Sequence, residues 1–281
     1  MFDIGANLSH EQFKHDLKAV IERAIASGVK GMLLTSTDWQ SFEDNLNVIE
    51  QFGTDIFLKT TYGLHPHYAK EFKTILPKIN TYLAHEDVAA VGEFGLDYFR
   101  MLSSKQTQHH VMESFLQAAQ KFSHKPLFLH ERDAFEDFLS LLKQAKGNKK
   151  VVHCFTGNTQ AVRAYLDEDC YIGLTGWISD SRRNADIIKA IEYIPMDKLM
   201  IETDCPYLTP FNMPKRPRRN EPAFLTYVAQ SISQIKGIGL EEVFQQTSQN
   251  TMDFLSLDGY NIKNNTRVLK NGNLYSWWFC S

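Results

Sequence analysis

The fold of this chain is decided by the stretch Leu199-Met200-Ile201-Glu202-Thr203-Asp204-Cys205-Pro206-Tyr207, in which an apolar run leads into two carboxylates. Pro206 has no amide N–H for a sheet ladder, so a strand here must end close to Asp204. Because side chains alternate along a strand, Glu202 and Asp204 share one face and Thr203 takes the other. If that face points into a barrel, two acids meet at the end of a buried strand, and we expect a cationic group beside them.

Similar apolar runs recur upstream of this stretch and alternate with helical patterns. The sequence predicts strands at residues 1–8, 29–35, 57–64, 88–92, 127–130, 151–155, 171–174 and 199–203. Apolar residues at helical spacing predict helices at 11–27, 41–52, 71–84, 107–122, 134–143 and 159–166. Buried strands alternating with helices indicate parallel βαβ units, and about eight of these close into a (β/α)8 TIM barrel. A doubly wound open sheet is the rival fold.

Composition limits the class of protein. The chain has 281 residues, of which 43% are hydrophobic, which is ample for one large core. The net charge of −3 argues against a tight non-specific coat on nucleic acid, but not against a nuclease with a locally basic cleft. The four cysteines form no CxxC pair, and no run approaches the ~20 apolar residues of a membrane span. We therefore expect a soluble cytoplasmic protein with no membrane contact.

The composition changes near residue 257. We predict one barrel domain over residues 1–256 and a C-terminal tail of unknown role over residues 257–281. The tail ends in an aromatic run, Leu274-Tyr275-Ser276-Trp277-Trp278-Phe279, which would be costly to expose to water. We expect this run to dock on its own barrel or on a second subunit, with disorder as the alternative. A monomer is expected, and an oligomer formed through the tail is the alternative.

Four predicted strand ends carry residue types that bind metals: Glu93, His130, His153 and Asp204. Taken singly, each is more often a loop charge or a hydrogen-bonded histidine. Together they fall at one rim, where the active sites of barrel enzymes lie. Two imidazoles and two carboxylates suit a divalent ion, with Mg²⁺ preferred and Mn²⁺ or Zn²⁺ as alternatives. Such an ion activates water, and Asp204 is the candidate catalytic group that accepts the proton of that water.

Five motifs, in this order along the chain, resemble the TatD family of metal-dependent deoxyribonucleases within the amidohydrolase-like barrel superfamily. They are Asp3-Ile4-Gly5-Ala6-Asn7-Leu8, Gly63-Leu64-His65-Pro66-His67, Gly92-Glu93-Phe94-Gly95-Leu96-Asp97, His153-Cys154-Phe155-Thr156-Gly157 and Ile201-Glu202-Thr203-Asp204-Cys205-Pro206-Tyr207. The resemblance implies a TIM barrel of the metallo-dependent hydrolase type and 3′-to-5′ exonuclease action on single-stranded DNA or RNA. It places Glu93, His130, His153 and Asp204 at the family's metal-ligand positions, and His65 where the family has a histidine facing the phosphate.

One departure from the superfamily lies on the first strand, where most members carry His-x-His. Here those positions are Gly5 and Asn7, and glycine offers no ligand. The TatD branch shares this loss. We therefore expect one firm metal site, with any second ion weakly held or brought by the substrate's phosphate.

Candidate substrate contacts are cationic or aromatic. The basic segment at residues 215–222 includes Arg219, and Arg132 follows His130 by two residues. Arginines at the active rim would meet phosphates. The alternative for the basic segment is a solvated charge run, and the alternative for Arg132 is an ion pair with Glu131 or Asp133. Aromatic residues near the strand ends could stack on bases, although core packing is the commoner role: Tyr62, Phe155, Trp177 and Tyr207.

Three functions remain open on the sequence. The leading hypothesis is a metal-dependent phosphodiesterase that trims nucleic acid from a 3′ end. The second is a hydrolase of a small amide, lactone or ester, since a fold does not fix a substrate. The third is a non-catalytic metal-binding protein. The basic segment favours the first over the second, and the full set of ligand types favours an enzyme over the third.

Overall fold

Eight parallel strands form the centre of the molecule. The structure is a computed structural model that describes residues 1–182 and 184–257, together with the backbone of two short strands beyond them. The strands pair in chain order, each with the next. The first and last strands meet through a bridge between Ala6 and Cys205 and through the Asp204 amide, which donates to the Gly5 carbonyl at 2.7 Å. The strands are β1 (Phe2–Ala6), β2 (Gly31–Leu34), β3 (Phe57–Tyr62), β4 (Val88–Asp97), β5 (Leu127–Arg132), β6 (Lys150–Val152), β7 (Cys170–Leu174) and β8 (Leu199–Ile201). The predicted TIM barrel is confirmed.

Helices follow the strands and cover the barrel from outside. They are α1 (Leu17–Ala26), α2 (Trp39–Phe52), α3 (Phe72–Ile75), α4 (Ile79–Leu83), α5 (Lys105–Ala119), α6 (Phe135–Leu142), α7 (Thr159–Asp167), α8 (Ala185–Tyr193), α9 (Leu225–Lys236) and α10 (Leu240–Phe254). Side-chain caps start several of them. Asp38 accepts from the Ser41 amide at the start of α2, and Ser104 accepts from the Thr107 amide at the start of α5.

The observed helices differ from the predicted ones in two respects. The single helix predicted over residues 71–84 is divided into α3 and α4 by the 3-10 turn Leu76–Lys78. Pro77 lies in that turn, and a proline there cannot donate the hydrogen bond that would continue a helix. The helices α8, α9 and α10 have no counterpart among the predicted helical ranges.

The hydrophobic core has two parts. The larger part lies between the outer faces of the strands and the helices. The smaller part fills the barrel floor near the amino ends of the strands and includes Phe2, Ile4 and Met200. Phe254 and Leu255, at the end of α10, belong to this second cluster and close the floor. The floor is therefore apolar, and the polar chemistry is left to the opposite end.

The strand β4 runs five residues further than its predicted end, through Asp97. Gly92 and Gly95 have φ angles of 151° and 153°. A Cβ at Gly92 would lie 2.2 Å from the Phe128 carbonyl oxygen, and one at Gly95 would lie 1.9 Å from the His130 carbonyl oxygen. Glycine is therefore required for β4 to approach β5 this closely, and the longer strand brings Glu93 and Asp97 to the rim.

Two further findings concern the class of protein. In the described part of the chain, no helix combines the length and the apolar character needed to cross a bilayer. Cys154, Cys170 and Cys205 are free thiols.

A second, two-stranded antiparallel sheet pairs β9 (Tyr260–Asn261) with β10 (Thr266–Arg267). The aromatic run predicted to dock, residues 274–279, lies outside the described residues.

Candidate metal centre

Glu93 is the central residue of the rim. Its Oε1 atom lies 2.7 Å from His153 Nε2, 2.9 Å from His130 Nδ1 and 3.3 Å from His65 Nε2. Glu93 is on β4 and His130 on β5, whereas His65 and His153 follow β3 and β6. The carboxyl ends of four neighbouring parallel strands thus bring three imidazoles around one carboxylate.

This arrangement fits a divalent cation. Two donors bound at ~2.1 Å and at right angles to each other are ~3.0 Å apart, which matches the contacts of Glu93. His65, Glu93 and His130 each offer one donor atom, and these atoms lie within 4.8 Å of one another. Both ring nitrogens of His130 are buried, yet within the described residues neither has a partner with hydrogen-bond geometry, despite the 2.9 Å approach to Glu93. A buried donor set of this kind supports a divalent metal ion here.

The protonation states of these groups depend on one another. Burial alone raises the pKa of Glu93, but the neighbouring His153 and His65 outweigh it and hold that pKa well below its usual range. Burial lowers the pKa of His65 to about 3, against the opposing effect of Glu93, so its imidazole is neutral at physiological pH. Glu93 is thus ionised and His65 neutral, which are the forms that bind metals. Burial lowers the pKa of His130 and His153, but the neighbouring carboxylates outweigh it and raise both, so an ion bound by these two imidazoles would displace their protons.

His153 is held by a second carboxylate, Glu202, which was expected on the inward face of its strand but had no predicted role. His153 Nδ1 lies 3.3 Å from Glu202 Oε2, and the Cys154 amide donates to Glu202 Oε1. This contact turns His153 Nε2 towards Glu93. A Cβ at Gly5 would lie 2.2 Å from Glu202 Oε2, and one at Gly173 would lie 2.6 Å from Oε1. Gly5 therefore leaves the space in which the Glu202 carboxylate lies.

Asp204 lies just beyond β8 with a left-handed φ of 52°. Its Oδ1 accepts from Asn7 Nδ2 at 3.0 Å, so one of the two altered first-strand positions supports this carboxylate. Burial raises the pKa of Asp204 to about 7, although His153 opposes the shift. Among the described residues, the group of donors within 4.8 Å of one another includes neither Asp204 nor His153. Asp204 instead lines the same cleft as that group.

Asp97 belongs to one of the five motifs but was not among the predicted site residues. Its Oδ2 lies 2.9 Å from His67 Nε2 and 3.6 Å from His130 Nε2, and its Oδ1 accepts from the Arg100 amide at 2.7 Å. The side chain is almost fully buried. A carboxylate behind a metal-binding histidine fixes the ring orientation and raises its basicity. The signal in the sequence was its position two residues beyond Gly95, on the same strand as Glu93.

The centre opens into a cleft of about 1150 Å³ at the rim. Two of the predicted substrate residues, His65 and Arg132, line it. The structure does not bring Arg219 to this lining. Its guanidinium instead lies 2.6 Å from Asp16 and 2.8 Å from Glu221. The alternative for this basic segment was a solvated charge run, whereas Arg219 is engaged in local ion pairs.

The four aromatic candidates divide into two pairs. Tyr62 and Phe155 are fully buried core residues, which is the commoner role for aromatics at such positions. Trp177 and Tyr207 line the cleft, and Tyr207 is 52% exposed. The two pairs differ in whether their side chains reach the cleft, which the sequence alone does not reveal.

A closed parallel barrel with histidines and carboxylates at the carboxyl ends of its strands defines a metal-dependent hydrolase of the TIM-barrel class. The sequence profile of the TatD related DNase family matches residues 2–256. The chain belongs to this family.

Individual relatives support the assignment to this family. The chain is 39% identical over 242 residues to the 3′-5′ ssDNA/RNA exonuclease TatD of Salmonella typhimurium, covering 84% of this chain and 92% of the relative. It is 38% identical over 262 residues to the protein of the same name from Erwinia tasmaniensis, covering 92% of this chain and all of the relative.

Solved structures give the same fold. A TatD family hydrolase from Entamoeba histolytica is similar with a TM-score of 0.82 and 29% identity, covering 90% of this chain and 97% of that one. A TatD homologue from Escherichia coli has a TM-score of 0.80 at 24% identity, covering 90% and 97%. The second likeness shows the fold alone.

Proposed function

We propose that this chain is a metal-dependent 3′-to-5′ exonuclease that hydrolyses phosphodiester bonds of single-stranded DNA or RNA. The observation that carries the proposal is the group of imidazoles around Glu93, at the base of an open cleft, in a chain whose relatives bear that name. Neither a small-molecule hydrolase nor a non-catalytic protein is favoured by a specific contact.

We propose Glu93, His130, His153 and Asp204 as the metal ligands, with His65 beside them. The first three are supported by their contacts within the centre, and Asp204 by its place on the same cleft wall. A bound divalent ion supplies water activation and stabilisation of charge on the phosphate. Mg²⁺ is the ion we propose, and Mn²⁺ and Zn²⁺ are the alternatives for a mixed nitrogen and oxygen site.

The chain's own residues divide the remaining work. Asp204, with a pKa near neutrality, accepts the proton of the attacking water. Arg132 lines the cleft two residues beyond His130, on the same face of β5, which supports it as the contact for a phosphate oxygen. His65, being neutral, adds a donor or ligand without adding charge.

We propose the barrel over residues 1–256 as the catalytic domain, the cytoplasm as the location, and a monomer as the working form. The free thiols are consistent with a reducing compartment. The tail from residue 257 has no assigned role.

The test is a digest of 5′-labelled single- and double-stranded DNA and RNA with Mg²⁺, Mn²⁺ or Zn²⁺, with EDTA as control. A ladder shortening by one nucleotide at a time from the 3′ end, lost in EDTA, supports the proposal. Early internal fragments would indicate an endonuclease, and no cleavage with any of the three ions would refute the proposed reaction.

A further inference from the structure

Exposed apolar side chains concentrate at the mouth of the cleft. Among the described residues, nine large hydrophobic side chains are exposed, and four of them line this cleft. These four are Tyr68, Phe99, Leu102 and Tyr207. Such surface is costly in water unless a ligand covers it, so the mouth itself is a candidate contact surface.

Phe99 is the most exposed of these side chains, at 57%, and it is held in a defined position. The guanidinium carbon of Arg132 lies 4.1 Å from the centre of the Phe99 ring and 5.9 Å from that of the Trp177 ring. All three residues line the cleft. We call them the Phe99–Arg132–Trp177 stack. A cation beside two aromatic faces keeps the exposed ring ordered before any ligand arrives.

The strand geometry places this stack next to the metal centre. Arg132 follows His130 by two residues on β5, so both side chains leave the strand on the same face. Phe99 follows Asp97 by two residues, and Asp97 pairs in register with Arg132. Two residues of strand span ~6.6 Å, so the stack is one step outward from the ligands. A group bound there is adjacent to the reacting phosphate.

The chemistry of the stack fits a nucleobase. Every base offers a flat π-face, and stacking of a base on an aromatic side chain is tolerant of sequence. Arginine adds a cation that meets both the base face and the phosphate backbone. A base can lie on an exposed ring only when it is not stacked within a duplex, so such a surface favours unpaired ends.

Resting on the exonuclease activity proposed above, we propose that the Phe99–Arg132–Trp177 stack binds an unpaired base next to the scissile phosphodiester. This makes Phe99 a specificity-determining residue for single-stranded ends. The apolar mouth would then serve recognition of the substrate rather than docking of a protein.

The experiment compares two single-stranded DNA oligonucleotides that differ only at the last two nucleotides, which are normal in one and abasic in the other. Stacking contributes ~1–3 kcal/mol per base, which is about 5- to 140-fold in kcat/KM. We expect wild type to prefer the normal end by that factor. Phe99→Ala should lose the preference while keeping its rate on the abasic end, and Phe99→Trp should retain the preference.

The matched control is Tyr193→Ala. Tyr193 is also an exposed aromatic, 48% exposed, with the Arg163 guanidinium 4.3 Å from its ring centre. It lies at the end of α8, and the described lining of the cleft does not include it. This variant should keep the wild-type preference. The proposal would be overturned if Phe99→Ala lowered kcat/KM equally for the normal and the abasic oligonucleotide, or lowered it for neither. The second outcome would indicate that this surface binds another partner.

Binding separates this inference from the exonuclease proposal. Fluorescence anisotropy with the same two oligonucleotides in EDTA reads the stack without hydrolysis. Weaker binding of the abasic end by wild type, but not by Phe99→Ala, supports the stack even if no cleavage is observed. Equal binding of both ends by wild type would overturn it even if the enzyme degrades DNA.

Discussion

Gly5 leaves space that the candidate metal centre needs. It leaves space for the Glu202 carboxylate, which in turn orients His153. Gly5→Ala would place a Cβ 2.2 Å from Glu202 Oε2. We expect a loss of ~1–3 kcal/mol in unfolding free energy from overpacking. Metal affinity should fall ~10–100-fold, because His153 loses its orienting partner. Denaturant unfolding and titration calorimetry with Mn²⁺ measure the two effects.

The control for this substitution is Gly239→Ala, at a glycine whose added Cβ would meet nothing within 4 Å. That variant should bind Mn²⁺ as wild type does. Unchanged Mn²⁺ affinity in Gly5→Ala would show that Glu202 does not position the metal ligands.

Asp204 is tested by Asp204→Asn. Asparagine tolerates the left-handed φ of 52° and can still accept from Asn7, so the fold should survive. It cannot take a proton from water, and kcat should fall ~10²–10⁴-fold. Digestion of a labelled oligonucleotide at saturating substrate and metal measures the loss, with the melting temperature as a check of folding. A variant with near wild-type kcat would remove Asp204 from the mechanism.

The residues of the centre were predictable to the extent that they end strands. Glu93, His130 and His153 were found in this way, and the structure brings them into contact. The role of Glu202 was not predictable, because its partners Gly5 and His153 are far away in the sequence and meet it only when the barrel closes. Alternation along a strand gives the face of a side chain, but not its contacts across the barrel.

The arginines of the segment at residues 215–222 lie in two different environments. Arg216 and Arg218 are exposed, whereas Arg219 is engaged by acidic residues. Replacing Arg216 and Arg218 together with Ala should weaken oligonucleotide binding and flatten its salt dependence, by ~0.7 in the logarithmic slope for each phosphate that the variant no longer neutralises. Anisotropy titrations between low and moderate salt measure this slope. The same slope in variant and wild type would mean that these charges are only solvated.

Arg219→Ala should act on stability instead. Arg219 joins Asp16, just before α1, to Glu221, just before α9, and Arg23 of α1 lies 2.8 Å from the same glutamate. These ion pairs are partly exposed, so we expect a loss of about 1 kcal/mol in unfolding free energy, with an unchanged salt slope. Thermal and denaturant unfolding provide the measurement. A flattened slope with full stability would return Arg219 to the substrate contacts.

The helices show where periodicity was sufficient and where it was not. The spacing of apolar residues predicted α2 and α5 to within a few residues. It predicted one helix where α3 and α4 are separate, because the apolar pattern continues past Pro77 while the backbone hydrogen bonds do not. The extension of β4 from Glu93 to Asp97 was not predicted either. Its glycines are typical of a turn, and only the proximity of β5 shows that they belong to a strand.

Over the whole molecule, the two ends of the barrel have opposite chemistry. The floor is apolar and includes Phe254 and Leu255 of the last helix region, whereas the opposite rim carries the buried carboxylates and imidazoles. Every proposed site residue precedes residue 257. Removal of the chain after Leu257 should therefore leave metal-dependent hydrolysis intact.

That truncation also tests the aromatic run at residues 274–279. Because five large apolar side chains in a short segment are costly to expose, we expect the truncated protein to melt at a lower temperature or to change in oligomeric mass. Differential scanning calorimetry and light scattering measure the two quantities. Equal melting temperature and equal mass would show that the tail contributes neither packing nor assembly.

A shorter chain, ending at Met252, provides the contrast. It loses Phe254, which is fully buried, and Leu255, both of which pack with Phe2, Ile4 and Met200 in the barrel floor. Loss of a buried phenylalanine alone costs ~3–5 kcal/mol, a large part of the stability of a typical domain. We expect this chain to lose hydrolysis together with its fold, whereas the chain ending at Leu257 keeps both. If the two chains behaved alike, the floor would not depend on the end of α10, and the barrel domain would end earlier than residue 256.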